Sequence, residues 1–99
     1  MIRHTVMFTL KHESNSREES EFLIAALALE TIESVRKFER LRQTSAKCNH
    51  RFGFSMEFES REGYEFYNNH PTHTKFVEDY WIPEVADFQE IDYELYQAQ

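Results

Sequence analysis

The chain of 99 residues is long enough for one domain with a single modest core. Its formal net charge is −7 and its basic residues are scattered, which argues against the basic stripe of a nucleic-acid-binding surface. The composition is 40% hydrophobic, yet no run of about 18 apolar residues occurs, so we expect no membrane span. Cys48 is the only cysteine, which rules out an intrachain disulfide and makes a reducing compartment the expectation.

The first ten residues alternate in polarity and predict a half-buried strand. One side of this alternation carries His4, Val6, Phe8 and Leu10. A secretory signal would instead show a charged leader, an apolar stretch and a small-residue cleavage site. We therefore expect a cytoplasmic protein without such a signal.

A helix is predicted from about residue 17 to about residue 33. Ser16 followed by Glu19 is a capping-box pattern, in which the two side chains satisfy free backbone N–H groups at a helix start. Helical spacing then gives an apolar stripe formed by Phe22, Ala25, Ala26 and Leu29.

The middle of the chain predicts two strands separated by a turn. Val35, Phe38 and Leu41 keep helical spacing, but their position in the chain favours a second strand, which we place at about residues 38–46. Residues 46–51 are expected to form the turn. The third strand is predicted from alternating apolar positions at Phe52, Phe54, Met56 and Phe58.

Two prolines divide the rest of the chain. Ser60 caps a second helix, and Pro71 ends it because the residue before a proline is pushed out of helical geometry. Pro71 also suits the first position of a third helix, which Pro83 ends or kinks. A last strand is predicted from Ile91, Tyr93 and Leu95, with the acidic residues between them expected to form a solvated face.

The order strand, helix, strand, strand, helix, strand predicts an α+β fold, the ferredoxin-like sandwich, with helices on one face of an antiparallel sheet. Residues 1–99 are expected to form this single domain. The other face of the sheet must be covered or wet, which leaves a homodimer open.

Four segments resemble the stress-responsive dimeric α/β-barrel (Dabb) domain family: RHTVMFTLK, FSMEFES, YNNHPTHTKF and IDYEL. The resemblance covers essentially the whole chain. Its most specific part is the His-Pro-x-His segment that runs from His70 to His73, with Tyr67 before it and Phe76 after it. The resemblance implies a ferredoxin-like subunit whose sheet packs against that of a second copy, giving a homodimeric barrel. Most members have no assigned reaction and are tied loosely to stress responses.

One branch of that family, similar to the plant olivetolic acid cyclase, folds a linear polyketide thioester into an aromatic acid without a cofactor. By motif position, its catalytic tyrosine and histidine fall on Tyr67 and His73, and a histidine near the pocket falls on His4. This chain departs from the branch at Phe52, which replaces a pocket histidine, and in residues 33–43. One residue is also inserted between His73 and the last strand. The cyclase reaction itself is therefore not carried over.

The chemistry of these residues admits two interpretations. His73 lies near the positive end of a helix, which favours neutral imidazole and hence a base, while the Tyr67 hydroxyl can donate to an oxygen that becomes negative. Such a pair suits an activated carbon, as in a β-diketone. Alternatively, His73 and His4 are structural histidines, Tyr67 is a core aromatic, and His70 caps the third helix.

A small apolar pocket is expected between helices and sheet, lined by Val6, Phe8, Phe22, Phe54 and Phe76. We predict no metal and no cofactor, because a zinc site needs three or four convergent ligands and no such spacing occurs. Two functions remain open for the pocket. One is binding of a small apolar metabolite with no assigned reaction. The other is a cofactor-free enzyme of cyclase or isomerase type, acting on an activated carbonyl or polyketide-like compound.

Overall fold

The computed structural model describes residues 1–97, so residues 98 and 99 of the predicted domain lie outside it. Its four strands are β1 (Ile2–Leu10), β2 (Arg36–Arg42), β3 (Phe52–Phe58) and β4 (Val85–Tyr93). Its helical segments are α1 (Arg17–Ala25), a 3₁₀ helix (Ala26–Thr31), α2 (Arg61–Asn69), α3 (Pro71–Phe76), a π-helical turn (Val77–Trp81) and α4 (Ile82–Glu84). The predicted ferredoxin-like order is confirmed. None of the helices in residues 1–97 has the length and apolar character needed to cross a membrane.

The sheet is antiparallel throughout, with the strand order β2-β3-β1-β4. Central strand β1 aligns Val6 with Phe54 of β3 on one side and with Glu90 of β4 on the other. His4 likewise lies opposite Asp92. Directly opposed residues point to the same face of a sheet. The register therefore places two carboxylates of the edge strand on the helix-covered face, beside His4 and Val6.

The second strand differs from the prediction: it runs from Arg36 to Arg42 rather than over residues 38–46. Its pairing with β3 shifts between Arg36 and Glu39, and Lys37 has a φ of 51°, as expected for a bulge. Beyond Arg42, the Gln43 side-chain amide donates to backbone carbonyls of the following loop. That loop closes the hairpin before the strand can extend.

The first helix begins as predicted, since Ser16 Oγ accepts a hydrogen bond from the Glu19 N–H at 3.2 Å. It does not continue as one α-helix to residue 33, because the 3₁₀ segment takes over at Ala26. The buried residues of this segment are Ala26 and Leu29. Their three-residue spacing puts both on one side of a 3₁₀ helix, which has three residues per turn.

The break between α2 and α3 is made by His70, which has extended backbone angles and caps α3. Its Nδ1 accepts a hydrogen bond from the Thr72 N–H at 3.1 Å, and Pro71 occupies the first turn. The π-helical turn follows α3. Because a π turn closes with one more residue than an α turn, it can accommodate the extra residue that the resemblance places after His73.

The last strand begins at Val85, earlier than the Ile91 suggested by the alternation, and Leu95 lies beyond its end at Tyr93. β4 is an edge strand, and most of its side chains are exposed on both faces. A strand of this kind has no regular alternation of apolar and polar residues. The first half of β4 therefore could not be predicted from a period-two pattern.

Candidate active site

A cavity of about 370 Å³ lies between the helical layer and the inner face of the sheet. Its wall is mostly apolar and is formed by Val6, Leu29, Phe54, Met56, Phe76, Val77, Trp81, Ile82 and Phe88. Four further lining residues carry polar groups: His4, Tyr67, His73 and Glu90. The structure thus brings together the three polar residues singled out in the sequence and adds a carboxylate to them.

Three of the five predicted apolar lining residues reach this cavity, namely Val6, Phe54 and Phe76. Phe8 and Phe22 do not line it and belong to the core, with exposed fractions of 0% and 1%. Both rings pack against Trp81, at centroid distances of 5.2 Å and 6.3 Å. Trp81 lines the cavity, so it contributes wall surface where Phe8 and Phe22 were expected.

Tyr67 and His73 lie against each other although they come from different helices. Tyr67 is on the buried face of α2, His73 is in the first turn of α3, and their ring centroids are 4.4 Å apart. His73 Nδ1 lies 3.1 Å from the backbone carbonyl oxygen of Asn68. Since a carbonyl only accepts hydrogen bonds, Nδ1 carries the proton, and Nε2 keeps a free lone pair.

Burial lowers the pKa of His73 below its ordinary value of 6.5, and the nearby His4 acts in the same direction. The Asn68 carbonyl and Glu90 oppose this shift, but burial is the largest cause. The imidazole is therefore neutral at pH 7. The position of His73 near a helix start predicts a neutral ring, but the chief cause of the neutral form in the structure is burial.

Tyr67 is 3% exposed, and burial, aided by the Glu90 charge, raises the pKa of its hydroxyl above the ordinary value of 10.0. The phenol therefore stays protonated over the physiological range. Within residues 1–97, no protein group forms a hydrogen bond with this hydroxyl, although its side chain lines the cavity. Tyr67 is consequently a hydrogen-bond donor available to a bound molecule.

His4 belongs to a hydrogen-bonded network at the sheet end of the cavity. Its Nδ1 lies 2.6 Å from Asp92 Oδ1 and 2.8 Å from the Tyr64 hydroxyl, which donates to Asp92 Oδ2 at 2.7 Å. His4 Nδ1 therefore carries its proton towards Asp92. Its other ring nitrogen, Nε2, lies 3.6 Å from Glu90 Oε1. Burial raises the pKa of Tyr64 above its usual range, with a further contribution from Asp92.

Three members of this site, Tyr64, Glu90 and Asp92, were missed in the sequence. Glu90 and Asp92 were assigned to a solvated face because they alternate with apolar residues near the chain end. Only the strand register places them beside Val6 and His4. The one available signal was the period-two spacing of the two carboxylates, which puts both on one face of a strand.

His4, Glu90 and Asp92 also place potential metal-ligand atoms within 4.8 Å of one another. Two carboxylates and an imidazole can bind a cation, so the strand register supplies a ligand set that motif spacing did not indicate. However, His4 Nδ1 and both Asp92 oxygens are already hydrogen-bonded to each other or to Tyr64. The arrangement therefore resembles a completed hydrogen-bond network more closely than a set of open ligands.

The fold and this cavity define a ferredoxin-like α+β protein with a small apolar site that ends in acid–base groups. Residues 2–95 match the family model described as Stress responsive A/B Barrel Domain, so the chain belongs to the Dabb family. A Dabb family protein with a ferredoxin-like fold from Mesorhizobium loti is 54% identical, with a TM-score of 0.95 over 97% of each chain. No curated protein matches the chain.

Two more distant structures share the fold. A dimeric ferredoxin-like protein of unknown function from Thermobifida fusca is 20% identical, with a TM-score of 0.79 over 95% of this chain and 90% of the other. The hydroxynitrile lyase from Passiflora edulis is 12% identical, with a TM-score of 0.82 over 99% of this chain and 95% of the other. At these identities the likeness concerns the fold alone.

Proposed function

We propose that this protein is a cofactor-independent acid–base catalyst that acts on a small, uncharged carbonyl compound with an activated C–H bond. One observation carries the proposal: among residues 1–97 the Tyr67 hydroxyl and His73 Nε2 have no hydrogen-bond partner, and their rings are in contact in the wall of one apolar cavity. A protonated phenol beside a neutral imidazole is a donor beside a base.

In the proposed reaction, His73 Nε2 removes a proton from the carbon next to the carbonyl group. The C–H electron pair forms the enolate, and the Tyr67 hydroxyl donates a hydrogen bond to the oxygen that becomes negative. The imidazolium then returns the proton to the same or another carbon, which gives exchange or isomerisation. Alternatively, the enolate carbon attacks a second carbonyl within the molecule, whose C=O π electrons move to oxygen, and the imidazolium protonates the resulting alkoxide to complete ring closure.

The magnitude of general-base assistance restricts the substrate. Such assistance is typically worth about 10²–10⁴-fold, which is adequate for the acidic carbon of a β-diketone and inadequate for an ordinary ester. The Passiflora edulis protein that shares this fold is a hydroxynitrile lyase. A lyase of that kind also acts on small molecules, which supports a small-molecule reaction in this scaffold.

The second candidate function is metabolite binding without turnover. It is favoured by the cavity wall, in which only four of the lining side chains are polar. A pocket of about 300–1,000 Å³ with a few placed polar groups is ordinary for a small-molecule binding site. This candidate predicts that apolar ligands bind but do not react.

The proposal is tested by deuterium exchange at the acidic carbon of benzoylacetone, followed by NMR in D₂O buffer. We expect an exchange rate that rises linearly with protein concentration and that falls as acid protonates His73. Because the pKa of His73 lies below 6.5, half of the rate should be lost at a pH below that value. EDTA should leave the rate unchanged.

Three results would contradict the proposed reaction at His73 and Tyr67. Exchange no faster than with an equal concentration of free imidazole would leave metabolite binding as the better candidate. An acid limb centred above pH 6.5 would show that the working base is not His73. Loss of the rate on EDTA treatment would transfer the activity to a metal at His4, Glu90 and Asp92.

We also infer that two copies of the chain pair through the sheet face that the helices leave open. This face has a depression of about 460 Å³, lined in part by Thr5, Met7, Leu41, Gly53 and Ser55. A Cβ at Gly53 would lie 3.3 Å from the Val6 carbonyl oxygen, so a side chain there would crowd the neighbouring strand. The Thermobifida fusca protein with this fold is dimeric, which supports such pairing.

Met7→Glu should therefore disrupt the dimer, because it places a charge at the centre of the face that pairing would bury. By sedimentation equilibrium at micromolar concentration, the unmodified protein should have twice the chain mass of 12.0 kDa, and Met7→Glu a mass near 12.0 kDa. Ile24→Glu is the matched control, since Ile24 lies on α1 with an exposed fraction of 59%. A dimer that survives Met7→Glu, or an unmodified protein that is monomeric, would reject this interface.

A further inference from the structure

Two carboxylates, Glu90 and Asp92, lie at the polar end of the cavity. Glu90 lines the cavity, and Asp92 lies beyond it in contact with His4. Within residues 1–97, no lysine or arginine contributes to the cavity wall. Even a protonated His4 would offset only one of the two carboxylates. A molecule entering this cavity therefore meets a negative field at its polar end.

We propose that the cavity selects uncharged and cationic aromatic molecules and rejects carboxylates, with Glu90 as the residue that sets this preference. The inference rests on the proposed function only in placing the ligand in the same cavity. It narrows the substrate class, because it excludes acids, including aromatic carboxylic acids, as good ligands or as products that stay bound.

Glu90, rather than Asp92, is the carboxylate that a ligand encounters. Both oxygens of Asp92 are engaged, one with His4 and the other with Tyr64. Among residues 1–97, the Glu90 carboxylate has one polar contact, at 3.6 Å from His4 Nε2, and its side chain is half exposed. Its carboxylate is therefore free to accept a hydrogen bond from an amine or to repel a second carboxylate.

The aromatic preference comes from two rings in the cavity wall, one on the helical layer and one on the sheet. Trp81 of the π-helical turn and Phe88 of β4 meet edge to face, with ring centroids 5.4 Å apart, and both line the cavity. Phe88 is about half exposed, so aromatic surface continues to the mouth on the same strand as Glu90. Aromatic faces beside a carboxylate attract a cation through both the ring quadrupole and the charge.

The test uses three naphthalene derivatives of matched shape: methyl naphthyl ketone, naphthylmethylamine and naphthoate. Their affinities are measured by isothermal titration calorimetry at pH 7. We expect the native protein to bind the ketone and the amine at least about tenfold more tightly than the carboxylate, as a close pair of like charges would require. Glu90→Gln should reduce the ratio of these affinities to about threefold or less, and the affinity for the ketone should change little.

Asp87→Asn is the matched control, because it removes one negative charge from the same strand on the sheet face turned away from the cavity. It should leave the preference unchanged. Equal affinity of the native protein for ketone and carboxylate would overturn the inference. The inference would also fail if Asp87→Asn altered the ratio as much as Glu90→Gln, or if none of the three probes bound.

These results separate the inference from the proposed reaction. Tyr67→Phe should slow benzoylacetone exchange by about 10²–10³-fold and keep the charge preference, since it removes the donor and not Glu90. A charge preference in a protein that does not accelerate exchange would reject the reaction and keep the inference. Accelerated exchange without a charge preference would reject the inference and keep the proposed reaction.

Discussion

His73→Gln is expected to lower the rate of benzoylacetone exchange by about 10²–10⁴-fold, the usual contribution of a positioned general base. Glutamine is polar and of comparable reach, but it has no lone pair that can hold a proton at pH 7. Tyr67→Phe should cost about 10²–10³-fold, because it removes the donor to the developing negative oxygen. The measurement is the second-order rate constant for deuterium exchange, taken from NMR at several protein concentrations.

Two conservative variants control for indirect effects. His50→Gln changes a histidine that is hydrogen-bonded to Thr9 outside the cavity, and Tyr80→Phe changes a tyrosine that is stacked on Phe76 but is absent from the cavity wall. Both should retain the native rate within about threefold. If His73→Gln and Tyr67→Phe also retain it, acid–base catalysis by this pair is rejected, and metabolite binding becomes the better candidate.

The largest expected effect on stability comes from Phe8→Ala, which should reduce the free energy of unfolding by about 3–5 kcal/mol. Phe8 is 0% exposed on the central strand, with ring centroids of Phe54, Trp81 and Phe22 at 4.7, 5.2 and 5.6 Å. Truncation removes these contacts and leaves a void that rigid neighbouring rings cannot fill. Urea unfolding followed by circular dichroism measures the change.

Phe66→Ala is the control for Phe8→Ala, because Phe66 is 46% exposed on α2, where its ring lies edge-on to His70. Phe66→Ala should lower the free energy of unfolding by less than about 1 kcal/mol, since it removes little buried apolar area. An equal loss for the two variants would contradict the placement of Phe8 in the core and would return it to the cavity wall, where the sequence analysis had placed it. This outcome matters for the site as well as for the fold.

The fold could be predicted because two central strands have clear signatures. Apolar and polar residues alternate in both β1 and β3, because one face of each strand is buried. The edge strands β2 and β4 lack such a face. A mostly exposed strand has no apolar alternation, so the boundaries of β2 and the start of β4 had to be learned from the structure.

The candidate site could be predicted only in part. Tyr67 and His73 are six residues apart in one recognisable segment, so a motif can indicate both. Asp92 and Glu90 reach the site through the register of β4 on β1, which depends on pairing between distant parts of the chain. Phe8 and Phe54 show a further limit: period two gives the face of a strand, but not how deep a ring lies beneath that face.

The π-helical turn at Val77–Trp81 also bears on how relatives of this chain can diverge. Because the π turn takes up one extra residue, a deletion confined to this segment would let it close as an ordinary α-helix while the residues that follow keep their orientation. A one-residue change in α3 would instead rotate the following side chains by about 100° and would turn Trp81 and Ile82 out of the cavity wall. The π turn is therefore the place where this helical region can change length and still keep the shape of the cavity.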